Sequence, residues 1–205
     1  MKKRLWELDA LRGRCVLGMV LVHFVYDLVD LYALVDWECP PLFLFVQQWG
    51  GVLFLLISGI CVTLGSRCIR RGLLVFACGL VCTAVTYGMY YFGVATKGIM
   101  IYFGVLHCLG LCMLLWPVFR RLPHWALALL GLAMVLVGLY LADVPRVEYP
   151  WLMPIGLPWK GFASSDYFPL LPNLGFFLIG SALGRSVYRK KESLLLRVNP
   201  HNPIL

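Results

Sequence analysis

Apolar residues run in long blocks along this chain, at roughly 15–35, 42–64, 72–95, 99–119, 124–142 and 168–188, separated by short polar stretches. Blocks near 20 residues match the roughly 30 Å of hydrocarbon that a helix must cross. In lipid every backbone polar group has to bond within the protein, so the blocks read as helices rather than open sheet. The pattern predicts an all-α fold, a polytopic bundle of six transmembrane helices with both termini cytoplasmic. The first block is too long for the apolar core of a signal peptide, carries no A-x-A cleavage site and follows Glu7 and Asp9, so it is expected to be a retained span. The chain then divides into one membrane domain, 1–188, and a basic, polar cytoplasmic tail, 189–205.

Composition narrows the class. Of 205 residues, 61% are hydrophobic and only 14% charged, with a mean hydropathy of +0.82. A water-soluble domain has more polar surface than this, and a disordered chain has far less apolar content. The net charge of +8 looks at first like a nucleic-acid signal. Its distribution says otherwise. With the N-terminus inside, all 18 basic residues except Lys97, Arg146 and Lys160 fall in cytoplasmic segments. The acids Asp27, Asp30, Asp36, Glu38, Asp143, Glu148 and Asp166 fall on the opposite side. That asymmetry follows the positive-inside rule. No nucleic-acid partner is expected, because such a groove gathers its cations on one folded face. The partner this charge pattern implies is a lipid bilayer, expected to be the bacterial inner membrane.

The long connection, 143–167, carries Pro145, Pro150, Trp151, Pro154, Pro158 and Trp159 and is expected to lie at the outer interface. Gly180 and Gly184 form a G-x-x-x-G, which favours close packing within the bundle and leaves a homodimer as the alternative. Only Cys39 falls outside, so no exported disulfide framework is expected. Cys78/Cys82 and Cys108/Cys112 have helical i, i+4 spacing, but thiolates deep in lipid are costly. They are read as small apolar residues, and no metal is expected.

Ionisable groups inside a span mark candidate chemistry. His23, Tyr26 and Asp27 lie in one run, with Asp30 continuing the face at i+7. His23 is about 13 Å along the helix from Arg14, near mid-membrane. Asp27, one turn away, is expected to fix the His23 tautomer and leave the other ring nitrogen as a general base. His107, about 12 Å from Ile99, falls at comparable depth and is expected to face the same cavity as a second acid/base or oxyanion donor. His124 and His201 fall at cytoplasmic ends without special signal. Asp9 and Arg12 are three apart and are expected to pair. Arg12, with Arg67, Arg70 or Arg71, is suited to phosphate groups on the cytoplasmic side. Ser58, followed by Gly59, is expected to bond its own i−4 carbonyl. Asp166 precedes a proline-started segment, where it suits a helix cap, and it also faces the outer mouth.

Several motifs together resemble one family. ELDALRG (7–13), HFVYDL (23–28), LFLLISGI (53–60 region), IYFGVLHCLG (101–110), with Gly104 inside it, and SDYFPLLPNLGFFLIGSALGR (165–185) are similar, in order, to bacterial membrane proteins related to heparan-alpha-glucosaminide N-acetyltransferase. The resemblance implies a multispan acyltransferase. Its donor would be acetyl-CoA or another acyl-CoA on the cytoplasmic side. Its acceptor would be a hydroxyl or amine of a glycan or amino sugar on the far side. The family's outer-side histidine after the first span has no counterpart, since no histidine lies between Phe24 and Leu106. Relatives also continue into a further hydrophobic segment after the basic loop, which this chain, ending at Leu205, is expected to lack. In the expected scheme His23, oriented by Asp27, deprotonates the acceptor. His107 assists, Tyr26 and Asp166 face the acceptor, and Asp9, Ser58, Gly59 and Gly104 support the site. Two other classes fit the same residues: a proton-coupled or ion-binding carrier, and a non-catalytic membrane assembly subunit.

Overall fold

A computed structural model describes residues 5–31, 34, 36–38, 40–189 and 193. Cys39, His201 and most of the basic tail lie outside the described residues. The fold is all-helical. Six long helices follow in order: α1 (Trp6–Tyr26), α2 (Pro41–Leu64), α3 (Cys68–Tyr91), α4 (Val105–Phe119), α5 (His124–Ala142) and α6 (Leu170–Val187). Four of them, α2, α3, α5 and α6, are long and apolar enough to cross a membrane, and α4 is a shorter apolar helix. These helices make the chain an integral membrane protein. The start of α1 and the end of α6 lie together, since the Ser193 hydroxyl donates to the Glu7 carboxylate at 2.6 Å.

Helix boundaries follow local chemistry. Prolines open α2 and immediately precede α5 and α6, where a missing N–H costs nothing. Two boundaries differ from the apolar pattern. The first helix starts at Trp6, nine residues before the apolar block, because Glu7 and Asp9 in its first turn suit the positive end of the helix dipole. It ends at Tyr26 and continues as a π-turn, Asp27–Leu31. The fourth helix starts at Val105 rather than near Ile99. Residues ahead of it are extended, and the Phe103 carbonyl accepts the Phe168 N–H at 2.9 Å.

The bundle is organised around α6, which lies between α5 and α2, while α3 packs on α4 and α1 principally on α2. Glycines set the close crossings. Gly59 faces the Phe177 carbonyl, Gly180 the Leu56 carbonyl and Gly184 the Ile60 carbonyl, so the G-x-x-x-G of α6 is spent inside the bundle against α2. Gly131 and Gly175 face each other's backbones between α5 and α6, as do Gly72 and Gly110 between α3 and α4. Leu55, Phe177, Leu178, Leu127, Cys108 and Cys112 fill the centre. Small buried thiols there pack as apolar groups.

The connection between α5 and α6 is structured. Val147 pairs with the strand-like run at Pro158–Lys160 through two backbone hydrogen bonds of 3.1 Å. Tyr102, Trp159 and Phe162 meet edge-on or tilted, and Tyr167 joins this aromatic cluster through Phe162. A 3-10 turn, Pro150–Ile155, leaves Tyr149 and Trp151 exposed, as suits aromatic side chains at a membrane interface.

Candidate active site

The segment entering α6 is pinned to the segment entering α4. Ser165 Oγ donates to the Ile99 carbonyl at 2.8 Å, and Ser164 Oγ to the Asp166 carbonyl at 2.9 Å. Tyr167 Oη donates to the Met153 carbonyl at 2.7 Å, and burial pushes its phenol up to about 12. So held, Asp166 places Oδ2 2.9 Å from the Val105 N–H. It caps α4, not the helix that follows it. The N-cap of α6 is Pro169 and has no side-chain cap. The expectation that Asp166 caps its own downstream helix is thus corrected: the chain crosses to a neighbour before the proline-started turn begins.

Asp166 also lines a cavity of about 280 Å³ between α1, α2 and the start of α4. His23 and Gln47 line the same cavity, with Phe54, Val105 and Phe168. Burial raises the Asp166 carboxyl above the ordinary carboxylate range. The Val105 N–H and the nearby His23 oppose that shift without cancelling it. Among the described residues the one ion pair is Lys160–Glu148, at 3.3 Å and fully on the surface. His23 and Asp166 form no direct ion pair, and they act on each other as two walls of one cavity.

The carboxylate opposite His23 is thus Asp166 and not Asp27. Asp27 is the exposed C-cap of α1, joined to His23 by its backbone N–H alone, and neither it nor Tyr26 lines the cavity. The winding between the two is still regular, with the Asp27 N–H on the His23 carbonyl and the π-turn beginning only at Asp27, so sharing a helical face with His23 does not bring Asp27 to the cavity. The side chain of Asp30 is outside the described residues.

His107 is elsewhere. It is buried between α3 and α4, packed against Phe76 and Phe103, with Gly79 leaving room for its ring. Its Nδ1 accepts the Gly104 N–H at 3.2 Å. Thr83 Oγ1 donates to the Ile101 carbonyl at 2.7 Å, so at 3.3 Å it accepts from His107 Nε2–H. The network sets the Nε2–H tautomer and occupies both ring nitrogens. His107 and His23 do not share a cavity, contrary to the expectation from their depths. Depth along a helix does not fix which face a residue presents. Gly104, the N-cap of α4, lies against the Asp166 carboxylate, a contact that a larger residue would block.

A second cavity, also about 280 Å³, lies toward the other end of the bundle. Arg12, Ser58, Cys61, Gly65, Ser66, Cys68 and Arg71 are among its walls. Arg12 and Arg71 both act on the Cys61 thiol, as does Asp9. Asp9 and Arg12 form no ion pair, and the guanidinium turns toward α2 instead. Arg67 and Arg70 do not line the cavity. Arg67 is the left-handed N-cap of α3 (φ 62°), and both are exposed. Ser58 is 4% exposed and makes no side-chain hydrogen bond, so its hydroxyl is turned into the cavity rather than back to its own helix. Ser181, across the helix crossing, does bond its i−4 carbonyl, at 2.9 Å. Both cavities are lined by α2. Phe54 walls the first and Ser58, one turn on, the second.

A family model for the catalytic region of heparan-alpha-glucosaminide N-acetyltransferase matches residues 4–205. The chain belongs to that family. Neither a curated protein nor a solved structure matches it. The family is one of membrane acetyltransferases, and each motif that carried the resemblance supplies at least one residue to the walls of the two cavities. Arg12 comes from the first motif and His23 from the second. The third supplies Phe54 and Ser58, the fourth Val105 and the fifth Asp166 and Phe168. Sequence reasoning passed over Gln47. Its only signal is a pair of amides, Gln47-Gln48, inside an apolar run.

Proposed function

We propose that this protein transfers an acyl group, acetyl in the first instance, from an acyl-CoA to a hydroxyl or amine acceptor across the membrane. One arrangement carries the reading: a cavity with His23 and Asp166 and a cavity with Arg12 and Arg71 are both lined by α1 and α2, with Phe54 in the first and Ser58, one helical turn on, in the second. Arg12 and Arg71 hold phosphate groups of the donor through charge-assisted hydrogen bonds. Ser58, on the wall of the same cavity, offers its hydroxyl to a carbonyl of the donor's arm. The charge asymmetry along the sequence supports a cytoplasmic side for this cavity.

In the other cavity His23 takes the proton of the acceptor O–H or N–H as the acceptor attacks the thioester carbonyl. Asp166 stabilises the imidazolium that results. The tetrahedral intermediate collapses with loss of the CoA thiolate, and the proton held by His23 is the one that completes CoA–SH. Asp166 thereby replaces Asp27 as the partner of the base. His107 is a positioning residue: with Gly104 and Thr83 it fixes the start of α4, against which Asp166 is set.

The testing experiment is calorimetric titration of the purified protein with acetyl-CoA and with free CoA, followed by turnover on amino-sugar acceptors. Saturable binding in wild type and His23→Ala, with turnover in wild type only, supports the scheme. Absence of binding by folded protein removes the acyltransferase reading.

A further inference from the structure

Most of the wall of the His23/Asp166 cavity is apolar. Leu11, Cys15, Met19 and Val22 of α1 face Val46, Leu53 and Phe54 of α2. The polar groups His23, Gln47 and Asp166 gather at one end, and Arg14 closes the other, nine residues or about 13 Å along α1. The cavity is therefore a slot with a polar head and an apolar length.

Of its three glycines, Gly51 lies against the Phe168 ring, and the other two differ from the glycines at the close helix crossings. Gly59, Gly72, Gly131, Gly175 and Gly180 admit a neighbouring backbone. Gly18 of α1 and Gly50 of α2 line the slot, and a Cβ at either would meet nothing within 4 Å. They widen the gap between two helices instead of closing it. The opposite face of α1, with Leu17, Val20, Leu21 and Phe24, is exposed and apolar and so faces the bilayer. Because α1 packs principally on α2, the slot borders lipid along its length.

We infer that the slot holds the hydrocarbon chain of an amphipathic acceptor. The acceptor is a lipid-linked amine or alcohol whose reactive group lies between His23 and Asp166 and whose chain runs between α1 and α2 toward Arg14. The inference rests on the proposed acyl transfer and names its acceptor class. Charge selects the head: the Asp166 carboxylate at the polar end favours an ammonium or hydroxyl over an anionic group. Location selects the tail: an apolar slot bordering lipid is filled by hydrocarbon at no hydration cost.

The test compares glucosamine with its dodecyl glycoside, which carries the same amine, on full-length protein in phosphatidylcholine nanodiscs. Two readouts are taken. The first is protection of Cys15, which lines the slot, against N-ethylmaleimide, read peptide by peptide by mass spectrometry. The second is CoA release from acetyl-CoA. The expected result is that the dodecyl glycoside protects Cys15 and is acetylated with a kcat/KM at least about tenfold above that of glucosamine. Gly18→Leu and Gly50→Leu, which fill open space, should remove both the protection and the preference, while Leu17→Trp on the lipid face leaves them unchanged. Unchanged Cys15 reactivity, or equal kcat/KM for the two amines, overturns the inference and leaves acyl transfer standing. Protection without turnover upholds the slot and overturns the acyl-transfer reading beneath it.

Discussion

Asp166 Oδ2 accepts the backbone N–H of Val105 at 2.9 Å, from 61 residues further along the chain. One carboxylate thus caps α4 and faces His23, so the two roles can be separated by substitution. Asp166→Asn keeps an acceptor for Val105 and loses the charge. Asp166→Ala loses both, at about 1 kcal/mol of stability for the missing cap. Turnover is expected to fall in both variants, and the thermal midpoint in the alanine variant only. Parallel melting curves and initial rates check this.

The raised carboxyl of Asp166 sets a pH dependence with a definite sign. The native state holds this proton to higher pH than the unfolded chain does. The associated stability is complete below the ordinary carboxylate pKa and is lost as pH rises through the raised value. Activity needs the ionised form, so its acid limb should lie above the ordinary carboxylate range. Asp166→Asn should remove that limb and flatten the stability change. Rates and melting midpoints across the acid range measure both.

Removing His23 should abolish the chemistry without touching donor binding. His23→Ala is expected to lower turnover by about 10²–10⁴-fold, with acetyl-CoA affinity unchanged by calorimetry. Near-wild-type turnover would take His23 out of the mechanism.

His107→Ala should act differently. It strips partners from the buried Gly104 N–H and from Thr83, which costs about 1–3 kcal/mol. The expected signature is a lower melting midpoint with an unaltered pH–rate profile in the fraction that folds. A shifted profile would return His107 to acid/base chemistry.

Arg12→Gln and Arg71→Gln should each weaken acetyl-CoA binding about tenfold, the loss of one charge-assisted hydrogen bond. Arg67→Gln and Arg70→Gln, outside the cavity, should not. Acetyl-CoA should also protect Cys61, on the same wall, from alkylation.

The apolar blocks alone established a helical membrane protein. Length and hydropathy are local properties, and lipid leaves helices as the economical way to satisfy the backbone. The motifs, read together, identified the family. Gly180-x-x-x-Gly184 announced a close helix crossing, which forms inside the bundle. The partners of His23 and of His107 were beyond that reach. The i+4 rule offered Asp27, but the rule speaks only of neighbours on one helix and not of which residues another segment brings to the cavity. Asp166 comes to the cavity that His23 lines because two extended segments, at Phe103 and Tyr167, pair with each other. Likewise the sequence listed four arginines suited to phosphate, and the α1–α2–α3 packing selected Arg12 and Arg71. That the chain forms a series of long apolar helices was written in the sequence. Which faces meet was decided by the tertiary structure, because that depends on how glycines and extended segments allow distant backbones to approach.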